Sequence, residues 1–95
     1  MPENSVTCLA RITGRVQGVG FRAWTKLEAD KRHLTGWVRN RRNGSVEALI
    51  NGPPTHVQSL LNVFLEGLPL AWVEAVTTEP ASSPEIAGFY QLATP

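Results

Sequence analysis

Residues 14–22 read GRVQGVGFR, and they divide a strand-like run from a helix-like run. Gly14, Gly18 and Gly20 interrupt bulky apolar residues, Arg15 and Arg22 flank the interior, and Gln17 is the only uncharged polar side chain. The stretch holds no nucleophile. Its chemistry is limited to turning sharply, directing successive backbone N–H groups at an anion, and placing a guanidinium beside them.

Outward from this segment the periodicities define the fold. Residues 6–13 are rich in β-branched and apolar types and stop at Gly14, which predicts a strand. Residues 22–33 lack Gly and Pro and favour a helix. Gly36 opens a second strand-like run over 37–41, Asn43-Gly44 signals a hairpin turn, and residues 46–50 supply the partner strand. Gly52-Pro53-Pro54 breaks that strand. Val57, Leu60, Leu61, Phe64 and Leu65 then form one apolar stripe of a second helix, with Thr55 and Gln58 spaced to cap its start. Residues 67–69 end the helix, residues 70–79 read as a fourth strand, 80–84 as loop, and 88–92 as a short last strand. The order β-α-β-β-α-β predicts an α+β, ferredoxin-like sandwich: an antiparallel sheet of four to five strands with two helices on one face. No repeat or linker divides the chain, so a single domain over residues 1–95 is expected.

Composition narrows the partners. Of 95 residues, 42% are hydrophobic and 18% charged, enough apolar material for a core. A net charge of +1 argues against an extended nucleic-acid surface. Cys8 is alone, which excludes an intramolecular disulfide and a four-cysteine zinc site. The start MPENSVT lacks the basic and apolar regions of a leader peptide. The uncharged run 48–65 is interrupted by polar and proline residues and cannot span a bilayer. A soluble, cytoplasmic monomer without membrane contact is expected.

Two segments carry candidate chemistry. In the predicted fold, residues 14–21 connect the first strand to the first helix. The loop N–H groups and the helix start converge there, with Arg22 beside them. The arrangement suits a phosphate or carboxylate, although glycines also serve plain tight turns. The pattern is neither a Walker loop nor a dinucleotide fingerprint. The second segment, GWVRNRRNGSVEALING over 36–52, places Asn40 just before the hairpin turn. Its amide can hold a water, or it can simply cap the turn.

At both segments the chain resembles the acylphosphatase family. The signatures G-x-V-Q-G-V-x-F-R and G-W-V-x-N-x-x-x-G-x-V are matched without a gap, by Gly14, Val16, Gln17, Gly18, Val19, Phe21 and Arg22 and by Gly36, Trp37, Val38, Asn40, Gly44 and Val46, with Gly52 beyond. The similarity runs from about residue 7 to 92 and includes PLAWVEAV. The resemblance implies hydrolysis of the carboxyl–phosphate bond of small-molecule acylphosphates. Arg22 would match the family's phosphate-binding catalytic arginine and Asn40 the residue that orients the attacking water. The amides of Arg15, Val16, Gln17, Gly18, Val19, Gly20 and Phe21 would form the phosphate cradle. No metal and no cofactor is implied.

One departure stands out: the family's Leu-Gly-Leu step reads Arg32-His33-Leu34 here, so His33 would have to adopt a left-handed helix cap. His56 reads as a solvated surface residue, and Arg39, Arg41 and Arg42 as a solvated basic hairpin. Trp24, Trp37 and Trp72 read as core or edge packing, and Cys8 as a small packed residue. Two other readings compete: a phosphate- or carbamoyl-phosphate-binding module, as occurs within larger hydrogenase-maturation proteins, and an RNA-binding sheet. The latter lacks the aromatic strand pattern it needs.

Overall fold

A computed structural model describes residues 4–95; residues 1–3, part of the stretch read for a leader, lie outside the described residues. The elements run β1 (Val6–Arg15), α1 (Phe21–Lys31), β2 (Thr35–Asn40), β3 (Val46–Gly52), α2 (Pro54–Glu66), β4 (Trp72–Pro80) and β5 (Phe89–Gln91). The strands form one sheet in the order β4-β1-β3-β2-β5. This is the ferredoxin-like α+β arrangement expected, with one correction: β5 pairs parallel to β2, so the sheet is mixed rather than antiparallel. The reason is topological. After β4 the chain crosses four strand positions, about 19 Å, and residues 81–88 can reach roughly 26 Å. Having crossed at the end where β4 finishes, the chain enters the far edge in the direction of β2.

Strand alternation sorts the two faces of the sheet. Ala10, Ile12, Val38, Val46, Ala48 and Ile50 are buried beneath the helices. They meet Phe21 and Ala29 of α1 and Val57, Leu60 and Phe64 of α2. Each large side chain fully buried there contributes roughly 1.5–3 kcal/mol. Leu65, counted in the α2 stripe from sequence, is exposed because only a narrow strip of a helix touches a sheet. On the other face Glu47 is buried, with its carboxylate 2.8 Å from Arg39 Nη2, 3.4 Å from Arg11 Nη2 and 3.6 Å from Arg41 Nη1. Arg39 also stacks over Trp37 at 4.7 Å. The hairpin arginines are thus engaged, not simply solvated; Arg42 Nε donates to a main-chain oxygen of Pro95 at 2.8 Å.

Local details follow from the chain chemistry. Gly14 lies at a bulge in the β1–β4 register with φ 124°, and any Cβ there would run into the Trp72 carbonyl. Trp72 itself is exposed rather than packed, on the edge strand β4. Trp24 does pack, edge-on to Phe21 at 5.2 Å. Cys8 is half-buried, and burial pushes its thiol pKa up.

α1 ends in a Schellman motif: Leu34 N–H donates to the Ala29 carbonyl and His33 N–H to the Asp30 carbonyl. His33 occupies the left-handed position at φ 54°, as the sequence departure requires. α2 does not use Thr55 as a cap. Pro53 is the N-cap, and prolines preset the backbone and remove N–H groups that would otherwise need partners. His56 is half-buried, not solvated; its Nδ1 lies 3.0 Å from the Arg32 carbonyl and joins α2 to the end of α1.

Candidate active site

β1 is antiparallel to β3, β3 is antiparallel to β2, and β2 is parallel to β5. The C-terminal ends of β1, β2 and β5 therefore lie on one side of the sheet, where α1 begins. A cleft of about 140 Å³ opens there. Val16, Gly18 and Gly20 line it from the loop after β1, and Phe21, Arg22 and Ala23 from the first turn of α1. Asn40, the last residue of β2, and Gln91, the last of β5, close the other side.

The start of α1 is built open. Gly20 is its N-cap at φ 80°, ψ 17°, a left-handed conformation that a side chain would strain. No side chain among the described residues caps the helix, and its first turn holds no acidic residue. The first helical bond runs from Trp24 N–H to the Gly20 carbonyl at 3.0 Å. The N–H groups of Phe21, Arg22 and Ala23 precede it and belong to the donors a helix leaves without internal partners. With the positive end of the helix dipole behind them, they favour an anion in the cleft.

Arg22 brings a full positive charge to the same place. Its Nη1 donates to the Leu92 carbonyl at 2.9 Å. A guanidinium has five N–H donors, so one brace leaves a fork for a ligand. Asn40 owes its direction to strand alternation: Arg39 and Arg41 turn to Glu47 on the open face, and Asn40 between them turns to the cleft.

Of the expected cradle, Val16, Gly18, Gly20, Phe21 and Arg22 line the cleft, and Asn40 faces them. Arg15 does not; it ends β1 opposite Trp72 and is exposed. Val19 packs against the core. The Gln17 side chain points to the β2–β3 hairpin, donating to the Arg41 and Ser45 carbonyls. Sequence reading missed Gln91 and Leu92, because nothing local in a short terminal strand signals that it ends beside residues some 70 positions earlier.

Among the described residues, the cleft lining contains no Asp, Glu, His, Cys or Lys. Among the described residues no group of three or more His, Cys, Asp or Glu could hold a metal ion. The arrangement can bind a small anion and orient a neutral nucleophile. It offers no side chain for a covalent intermediate.

A sequence model of the acylphosphatase family matches residues 8–90. The chain belongs to the acylphosphatase family. It is 52% identical over 90 residues to the acylphosphatase of Rhizobium meliloti (strain 1021), covering 94% of this chain and 95% of that protein. It superposes on the crystal structure of acylphosphatase from Bacillus subtilis with a TM-score of 0.88 and 38% identity, over 92% of this chain and 98% of that one. The activity is hydrolysis of acylphosphates to carboxylate and phosphate. Full-length HypF in its phosphate- and nucleotide-bound form also superposes, with a TM-score of 0.87. That likeness, at 23% identity over 99% of this chain and 12% of the other, extends to the fold alone. No helix among the described residues is long and apolar enough to cross a membrane.

Proposed function

We propose that Arg22 and the amides of the 16–21 loop bind the phosphoryl group of an acylphosphate while Asn40 holds the attacking water, Arg15 being left out because it stays in the β1–β4 ladder. The observation that carries this reading is one cleft joining an uncapped helix start, a guanidinium and a carboxamide, with no carboxylate, imidazole or amine in its lining among the described residues. Water attacks phosphorus opposite the acyl oxygen. The bond from phosphorus to that oxygen breaks, its electron pair leaves with the carboxylate, and the water's proton passes to a phosphate oxygen. A carboxylate is a good leaving group, so positioning and charge stabilisation suffice. Arg22 and the amides meet the charge on the equatorial oxygens.

The same reading takes the chain as one domain that works as a cytoplasmic monomer without metal, cofactor or nucleic acid. The family match over residues 8–90 supports the single domain, and the net charge of +1 and the guanidinium covering Trp37 speak against nucleic acid. Hydrolysis of acetyl phosphate in the presence of a chelator tests the mechanism. Arg22→Gln and Asn40→Ala should each lose about 10²–10³-fold in kcat, with unchanged far-UV circular dichroism. Full turnover by either variant refutes that residue's role, and a chelator-sensitive rate refutes metal independence.

A further inference from the structure

Arg22 and Asn40 stand on different segments, and one side chain ties those segments together. Gln17 lies in the loop between Val16, which is buried, and Gly18, which lines the cleft. Its Nε2 donates to the Arg41 carbonyl at 2.7 Å and to the Ser45 carbonyl at 2.8 Å. A carboxamide nitrogen carries two hydrogens, so both are spent on the hairpin.

The two acceptors form the neck of the hairpin turn. Arg41 N–H donates to the Ser45 carbonyl at 2.8 Å, and Gly44 N–H donates to the Arg41 carbonyl at 3.1 Å. Each carbonyl therefore takes Gln17 on its remaining acceptor site. Asn43 Oδ1 braces the turn from within, accepting from Ser45 N–H at 3.0 Å and Ser45 Oγ at 2.6 Å. Asn40 precedes Arg41 and pairs with Val46, which follows Ser45. The Gln17 bonds thus grip the two residues next to the rung that carries Asn40.

We infer that Gln17 is a positioning residue whose carboxamide fixes the separation and orientation between the phosphate loop and Asn40. The inference rests on the roles proposed above for Asn40 and the loop. The other side chains of the 16–20 loop are apolar or absent and can hold the hairpin only by packing, which is not directional. In-line attack is directional: a misplacement of about 1 Å can cost roughly 10²-fold. The turn keeps its own bonds when the Gln17 donors are removed, so the loss falls on alignment rather than on folding.

The test is the kinetics of Gln17→Met with acetyl phosphate as substrate and inorganic phosphate as competitive inhibitor. We expect kcat to fall about 10- to 100-fold while KM and the phosphate inhibition constant stay within about twofold. In an Asn40→Ala background the same change should cost no more than about twofold further, because the group being aligned is gone. Gln17→Glu should turn over slowly at neutral pH, where carboxylate oxygens face two carbonyls. It should recover partly as the pH falls and the acid regains one donor hydrogen, a profile absent from the unsubstituted enzyme.

A rise in KM and in the phosphate constant with kcat intact assigns Gln17 to the cradle and overturns the inference. So does a cost that adds in full to that of Asn40→Ala. If Asn40→Ala alone keeps its kcat, the reading of Asn40 fails and the inference with it. If Gln17→Met folds poorly, the Gln17→Glu profile decides within a single variant, and a flat profile overturns it.

Discussion

The Arg22 guanidinium donates to the Leu92 carbonyl at 2.9 Å, joining the first turn of α1 to the residue that follows β5. Leu92 N–H in turn donates to the Val38 carbonyl at 2.8 Å, so the segment carrying the acceptor is an extension of the sheet. The arginine proposed to bind phosphate is therefore aimed by the far edge of the sheet, not by its own helix.

Removing residues 92–95 should release that guanidinium. Turnover of acetyl phosphate, as kcat/KM, is expected to fall about tenfold or more, with the helical circular dichroism retained. Arg22→Lys keeps the charge but loses the planar fork, and should cost at least about 10²-fold. Equal activity of the truncated and full chains would show that Leu92 does not orient Arg22.

His33 is held at φ 54° in the cap that closes α1. A left-handed residue with a Cβ costs roughly 1–2 kcal/mol, of which glycine's greater unfolded-state freedom offsets a part. His33→Gly should therefore raise stability by about 0.5–1 kcal/mol, read as a higher urea midpoint at unchanged slope. Activity should not change, because His33 lies at the opposite end of α1 from the cleft.

Thr25 is fully buried on α1, and its hydroxyl has no hydrogen-bond partner among the described residues. Thr25→Val keeps the shape and removes the stranded polar atom, and the two residues have similar helix propensity. Stabilisation of about 1 kcal/mol is expected in thermal unfolding. A loss of stability would mean that the hydroxyl is satisfied in solution.

Glu28 accepts from Lys31 Nζ at 2.8 Å and from Arg32 Nη1 at 3.0 Å. The hydrogen bond from Lys31, reinforced by Arg32, holds its carboxyl below the ordinary 4.5. A carboxyl with a depressed folded pKa stabilises fully above its unfolded pKa and loses that contribution as the pH falls through the folded value. The stability gap between the chain and Glu28→Gln should thus be present at neutral pH and close in acid, below 4.5. Urea unfolding at several pH values checks this; a gap that does not vary with pH would show that these bonds contribute nothing through the charge.

The anion loop and the hairpin turn were legible because their signals are local, whereas the roles of Arg22 and Asn40 came from the resemblance to the acylphosphatase signatures. The glycine spacing of 14–20, the arginine at the helix start and the Asn-Gly turn each act within a few residues, where backbone sterics decide conformation. Helix and strand positions followed from periodicity for the same reason. One error is local and the others concern long-range pairing. Thr55 had the spacing of a cap, but two prolines had already supplied the helix start. His56 looked solvated because its acceptor, the Arg32 carbonyl, belongs to the other helix. The Arg39 and Arg41 cluster looked solvated because Glu47 becomes their neighbour only across the β2–β3 ladder.

By itself the sequence determined the element order, the turn chemistry of the loop, the left-handed strain at His33 and the identity of the residues proposed to hold phosphate and water. The element order and the turn chemistry depend on dihedral preference and on the spacing of apolar residues. The cap position of His33 and the residues proposed to hold phosphate and water were implied by the resemblance to the acylphosphatase family. Only the tertiary structure decided that β5 runs parallel to β2, that Leu92 braces Arg22, and that Gln17 turns away from the cleft to grip the hairpin. Those relationships join residues 24 to 70 positions apart. A hydrogen bond over such a separation exists only after the sheet has brought its two ends together.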